Sequence, residues 1–99
     1  MKPYRFHHEA DDEYTAAAIH YASLSPDLGG RFYDEIEGLI AEVRSAPHRF
    51  RRIEGDVRRH VAAVFPYAPL YLDEPEALWI IAVMPLKRDP NYWRHRVAK

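Results

Sequence analysis

A chain of 99 residues with 47% hydrophobic content accommodates one core and therefore one domain, residues 1–99. It has no cysteine, which excludes a disulfide framework and a thiolate metal site, and no stretch approaches the ~20 apolar residues of a membrane span, so a soluble, cytoplasmic protein is expected. The net charge of −1 conceals an asymmetry: residues 1–43 carry three bases against nine acids, residues 44–99 eleven bases against six, and the second half is thereby suited to an acidic or polyanionic partner.

Tyr4 and Phe6 alternate with Arg5 and His7, the pattern of a short half-buried strand. Glu9, Asp11, Asp12 and Glu13 then crowd a first helical turn, where negative charge meets the positive end of the helix dipole. Ala10, Tyr14, Ala17, Tyr21 and Leu24 form one stripe and predict a helix over 9–24. Ser25-Pro26 is a cap followed by a residue suited to the first helical position, and Leu28, Phe32, Ile36, Leu39 and Val43, joined by Tyr33 and Ile40, carry a second helix to about Ala46, before Pro47. So short a link predicts an antiparallel helical hairpin. Gly29, Gly30 and Gly38 each lower its helicity by up to ~1 kcal/mol, so packing must compensate.

Residues 48–56, HRFRRIEGD, have no sustained period and are expected to form a loop. Alternation from Val57 to Phe65 predicts the second strand, Phe65-Pro66-Tyr67 a bend, and Leu70-Tyr71-Leu72 a third strand ending at the turn 73–76. Pro69 cannot donate to a ladder, so either its nitrogen faces away from a neighbour or pairing begins only at Leu70. Ala77 to Met84 is an unbroken apolar run, expected to be a central strand covered on both faces. It delivers Lys87, Arg88, Tyr92, Trp93, Arg94 and Arg96 to one edge of the fold as a polar, basic tail. The expected architecture is α+β: an N-terminal strand, an antiparallel helical hairpin, then a three-stranded antiparallel meander.

The order of elements, the Arg58-Arg59 pair, Phe65-Pro66-Tyr67 with Tyr71 four residues on, Ala82-Val83, and Arg88-Asp89-Pro90-Asn91-Tyr92-Trp93 together resemble the RelE/ParE toxins of type II toxin-antitoxin systems, over nearly the whole chain. The resemblance, to the ParE-like, plasmid-stabilisation branch, implies a bacterial growth-inhibiting toxin that acts on DNA gyrase and is neutralised by a cognate antitoxin in a heteromeric complex. The alternatives are a RelE-like endonuclease cutting mRNA on the ribosome, and a non-toxic relative that only binds a partner, for which the mild isoelectric point near 6.6 leaves room. In the binding readings Arg58, Arg59, Lys87, Arg88, Trp93 and Arg96 meet the partner; in the RelE-like reading Arg59, Arg88 and Tyr92 are catalytic. No cofactor is implied. Two departures from relatives stand out: Pro69 in place of a β-branched residue, and Pro85-Leu86 in place of histidines.

RNA cleavage without a metal needs a base for the 2′-hydroxyl, an acid for the leaving oxygen, cations for the phosphate and aromatics that stack on bases. Arg58, Arg59, Lys87 and Arg88 supply charge, and Tyr92 or Trp93 supplies stacking, but neither His60 nor His95 stands in a spacing that demands catalysis. The competing structural roles are that Tyr92 and Trp93 fold back on the core, and that Asp89 hydrogen-bonds its own backbone in a turn. Apart from adjacent His7-His8 no histidine pair has ligand spacing, so no metal is expected, and Gly29-Gly30 lies inside a helix rather than in a phosphate loop.

Overall fold

The computed structural model describes residues 2–97. Its elements are β1 (Tyr4–Phe6), α1 (His8–Leu24), α2 (Pro26–Ser45), β2 (Arg52–Glu54), β3 (Val57–Arg59), β4 (Tyr67–Asp73) and β5 (Leu78–Pro85), followed by a 3-10 turn over Arg94–Arg96. The sheet order is β1-β5-β4-β3-β2. Strands β2 to β5 form an antiparallel meander, and β1 lies parallel against β5. The α+β expectation holds, with one strand more than the sequence suggested.

Each helix starts where its cap dictates. His7 Nδ1 accepts the Glu9 N–H at 3.1 Å, so α1 opens at His8 with Glu9 and Asp11 in its first turn. Ser25 Oγ accepts the Leu28 N–H, and Pro26 takes the first position of α2. The buried stripe of α1 is shorter than its periodicity implied: Ala10, Tyr14 and Ala17 are buried, but Leu24 is 64% exposed. Helix α2 buries Phe32, Ile36, Leu39, Ile40 and Val43, while Tyr33 remains half exposed. Gly29 sets how closely the two helices approach, because a Cβ there would fall 2.7 Å from Ala22 Cβ and 2.8 Å from its Cα.

The sheet separates two clusters. On the helical face Tyr14, Phe32, Ile36 and Val43 pack with Tyr71, Leu78, Ile80 and Val83. On the other, Val57, Ala68, Leu70, Ile81, Ala82 and Met84 pack against Trp93. Strand β5 contributes to both, as an unbroken apolar run requires.

Three local expectations are corrected. The stretch 48–56 is not all loop: β2 pairs with β3 around Gly55, whose φ of +54° occupies the left-handed region that favours glycine. The second strand ends at Arg59 rather than Phe65, and Pro69 is the reason. The register of β3 on β4 continues as far as His60 N–H to Pro69 O (3.2 Å) and Ala62 N–H to Tyr67 O (3.0 Å). In an antiparallel bonded pair both N–H groups are exchanged, and Pro69 has none to return to His60. Its nitrogen therefore faces a neighbour after all, while pairing with β5 begins at Tyr67, with Pro69 opposite Val83.

The last correction concerns the tail: Trp93 and Arg96, expected to meet a partner, are folded back onto the sheet, the structural role weighed above for Tyr92 and Trp93. Between Leu70↔Ala82 and Tyr71↔Ile80, Ile81 is an extra residue in β5, a bulge. The register of β1 on β5 stops at Phe6↔Ile80, and His7 donates to the Ile80 carbonyl. Beyond that point the edge of β5 is satisfied by side chains. Val83 N–H donates to Glu13 (3.1 Å), and the Ile81 carbonyl accepts from Arg96 (2.9 Å), so the chain folds back over the sheet.

Candidate functional site

The segment after β5 is shaped by a turn that its own side chain closes. Asp89 Oδ1 accepts the Asn91 N–H at 3.0 Å, as the Asp-Pro pair suggested, and Tyr92 N–H reaches the Asp89 carbonyl at 3.2 Å. Trp93 is then driven into the core at 1% exposure. Tyr92, beside it, is half buried, with the Arg88 guanidinium 4.1 Å and that of Arg96 5.0 Å from its ring centre.

Arg96 closes the cluster. It bonds Glu13 at 2.8 and 3.0 Å, and the two side chains are only 4% and 15% exposed. Burial works against the Arg96 charge, but the hydrogen-bonded Glu13 carboxylate outweighs it and holds the arginine pKa above its ordinary value. Burial first, and Glu13 next, push the Tyr92 phenol well above its ordinary value. Three buried polar atoms find no hydrogen-bond partner among the described residues, Tyr92 OH, Trp93 Nε1 and Arg96 Nε, and all three belong to this one segment.

The structure thus brings together Arg88, Tyr92 and Arg96 and leaves the other candidates elsewhere. Lys87 and Arg88 are exposed just beyond β5. Arg58 and Arg59 sit on β3 with opposite facing, one across from Tyr71 and the other across from Leu70. Arg58 Nη1 donates to the carbonyls of His48 (3.2 Å) and Phe50 (2.8 Å), which ties down the connection between α2 and β2. Trp93 and Arg96, expected to meet a partner, are buried; Trp93 is core and Arg96 is one half of an internal ion pair.

Glu13 was missed as part of the cluster, although a signal was there. Ala10, Glu13, Tyr14 and Ala17 stand at i, i+3, i+4 and i+7, so this acid alone in its run lies on the buried stripe. An acid so placed requires a buried cation or donor.

The histidines are engaged in ways that do not make a base for the cluster. His60 stacks on Phe50 at 3.9 Å and its Nε2 lies 2.9 Å from Glu42 Oε1; His95 Nε2 lies 2.8 Å from Glu9 Oε2. His7, His8 and Glu9 place ligand-type atoms within 4.8 Å of one another. They suit a cation poorly: His7 Nδ1 is occupied by the cap, Arg96 Nε is 3.8 Å from Glu9, and the end of α1 is itself positive.

No protein-family model matches the sequence, and no curated protein is significantly similar to it. Among solved structures, the chain is similar to one in the "Chromosomal ParDE TA system from P. aeruginosa", with a TM-score of 0.76 and 15% sequence identity, covering 88% of this chain and 98% of that one. Likeness at that identity speaks for backbone architecture, and it agrees with the strand, helical hairpin and antiparallel strands found here: the chain has the fold of a ParE-like toxin.

Proposed function

We propose that the chain is the toxin of a type II toxin-antitoxin module, that it is ParE-like in acting by binding, with DNA gyrase as its target, and that a cognate antitoxin holds it inactive. The fold supports the module. What favours binding over RNA cleavage is the state of the Arg88–Tyr92–Arg96 cluster. Tyr92, the tail residue that the RelE-like reading makes catalytic, has its hydroxyl buried, its pKa raised and two guanidiniums beside its ring. A phenol held so firmly protonated is a poor general base, and a ring engaged by Arg88 is not free to stack on a nucleotide. Arg59, on β3, does not join it. In this reading the exposed cations Lys87 and Arg88, with the arginines of the β2–β3 edge, are docking residues for acidic groups of the antitoxin.

Controlled expression in a bacterium, with pulse-labelling of DNA and protein synthesis over the following minutes, tests the proposal. DNA synthesis falling first, with induction of the DNA-damage response, is the expected result. Protein synthesis stopping first, with new cuts in mRNA, would replace this reading by the RelE-like one. A soluble, folded protein that leaves growth untouched would leave only partner binding.

A further inference from the structure

The stretch 48–59, HRFRRIEGDVRR, carries five arginines against two acids, and folding gathers them on the β2–β3 ribbon at the edge of the sheet. Arg52 faces Arg58 across the ladder. One step on, Arg59 N–H reaches the Arg51 carbonyl at 3.0 Å, so Arg51 and Arg59 also stand opposite one another. Like charges directly opposed on a ladder destabilise it. Arg58 lies across from Tyr71, of the helical-face cluster, and Arg59 across from Leu70, of the other, so one arginine pair marks each face of the ribbon.

Little within the chain offsets this charge. The side chains of Arg51 and Arg59 make no hydrogen bond or ion pair among the described residues, Arg52 has only Asp56 at 3.9 Å, and Arg58 Nη1 bonds carbonyls. The neighbouring acids are taken: Glu54 by Arg94 at 3.0 Å, and Asp73 by Lys2 and His48. All nine acids of residues 1–43 lie on α1 and α2, so a polyanion is repelled by the hairpin and drawn to the ribbon.

Phosphate suits opposed guanidiniums, whose planar forks bind it bidentately. Single strands are held by aromatic platforms as well as by charge. The ribbon has none to give, because Phe50, the one Phe, Tyr or Trp of the stretch, is stacked on His60 at 3.9 Å. Duplex RNA has a major groove too deep and narrow for side chains to enter, whereas that of DNA admits a two-stranded ribbon between two walls of phosphate. Cations on both faces of one ribbon match the second geometry.

We propose that the β2–β3 ribbon binds duplex DNA through its phosphates, without reading sequence, with Arg51 and Arg59 on one wall of the groove and Arg52 on the other. The inference extends the proposed function: the duplex held by gyrase is the DNA the ribbon meets, and an antitoxin whose acids dock on the same arginines displaces it. Only the source of the DNA and the competitor rest on that reading, since the affinity belongs to the isolated protein.

The test is fluorescence anisotropy of a labelled, mixed-sequence DNA duplex of about 20 base pairs, titrated with the purified full-length protein between about 50 and 200 mM salt. The expected result is a dissociation constant of roughly 10–100 µM and a log–log salt slope near about −3, from about three phosphate contacts. Arg51→Gln combined with Arg59→Gln should weaken binding by about tenfold or more and make the slope shallower by about 2. Arg5→Gln combined with Arg31→Gln removes as much charge from β1 and α2, and should change binding less than about twofold. Equal losses in the two double variants, or no binding at about 50 mM salt, would overturn the proposal. So would single-stranded DNA or duplex RNA of the same sequence binding as tightly as the DNA duplex. A negative gyrase assay would remove the source of the DNA and leave this titration to decide the ribbon's affinity.

Discussion

Arg96 and Glu13 are 83 residues apart in the chain; Arg96 has one further carboxylate near it, Glu9 at 3.8 Å, whereas Glu13 pairs with no second cation among the described residues. Removing one charge of a buried pair leaves the second uncompensated, at a cost of about 3–5 kcal/mol. Arg96→Met is therefore expected to lower the unfolding free energy by about 3 kcal/mol or more in urea denaturation; a loss below about 1 kcal/mol would mean that the pair is solvated and does not hold the tail. His7 gives a second expectation at this scale. Its Nδ1 must be unprotonated to cap α1, and burial, reinforced by His8, lowers its pKa from the ordinary 6.5. With the folded pKa below the unfolded one, the unfolded chain takes up the proton first as the pH falls. The contribution of the cap is thus complete above about pH 6.5 and is lost as the pH drops toward the folded value. Asn caps without titrating, so His7→Asn should flatten the dependence of Tm on pH between about 5 and 7. Parallel curves for the two proteins would contradict this. At this scale the sequence was legible where chemistry is local, as in the turn closed by Asp89, and silent where it spans the chain, as in the bond from Arg96 to an acid of the first helix.

Among the elements, the two helices and β5 could be read directly because each carries a long period or a long apolar run, with caps at Ser25 and a stop before Pro47. Strand β2 could not, since it has three residues, one of them apolar, among arginines. What makes it a strand is its neighbour β3, and no local pattern records that. The glycines were read only as a loss of helicity, whereas Gly29 is the contact point of the hairpin. Gly29→Ala should remove an intrinsic helix penalty yet destabilise the protein by about 1–3 kcal/mol, because Ala22 backbone as well as its Cβ stands in the way. Gly30→Ala, with nothing within 4 Å of the new methyl, is the control and should be neutral or stabilising. Equal effects at the two sites would show that the helices do not approach as described. Pro69→Val restores the N–H that β4 lacks opposite His60. The expected outcome is slow hydrogen exchange at residue 69 and greater protection at His60 and Ala62; an amide at 69 exchanging as fast as an open loop would contradict the pairing described.

Over the whole molecule, the charge asymmetry visible in the sequence corresponds to a division of the fold: the acids lie mostly on the helical hairpin and the bases on the β2–β3 edge and the tail. Among the described residues no helix is long and apolar enough to cross a membrane. The arrangement of elements was legible as a ParE-like architecture, but the availability of the candidate residues was not. Burial decides whether Trp93 and Arg96 can touch a partner, and burial of a tail depends on contacts that only the folded sheet creates. Everything rests on the proposal that the cationic and aromatic cluster is a structural and docking feature and not a nuclease centre. Its most direct test sets the purified protein beside two reactions, DNA supercoiling by gyrase and cell-free translation of a defined mRNA. Supercoiling is expected to be inhibited while the mRNA stays intact; mRNA cut in the presence of ribosomes, with supercoiling unaffected, would contradict the account.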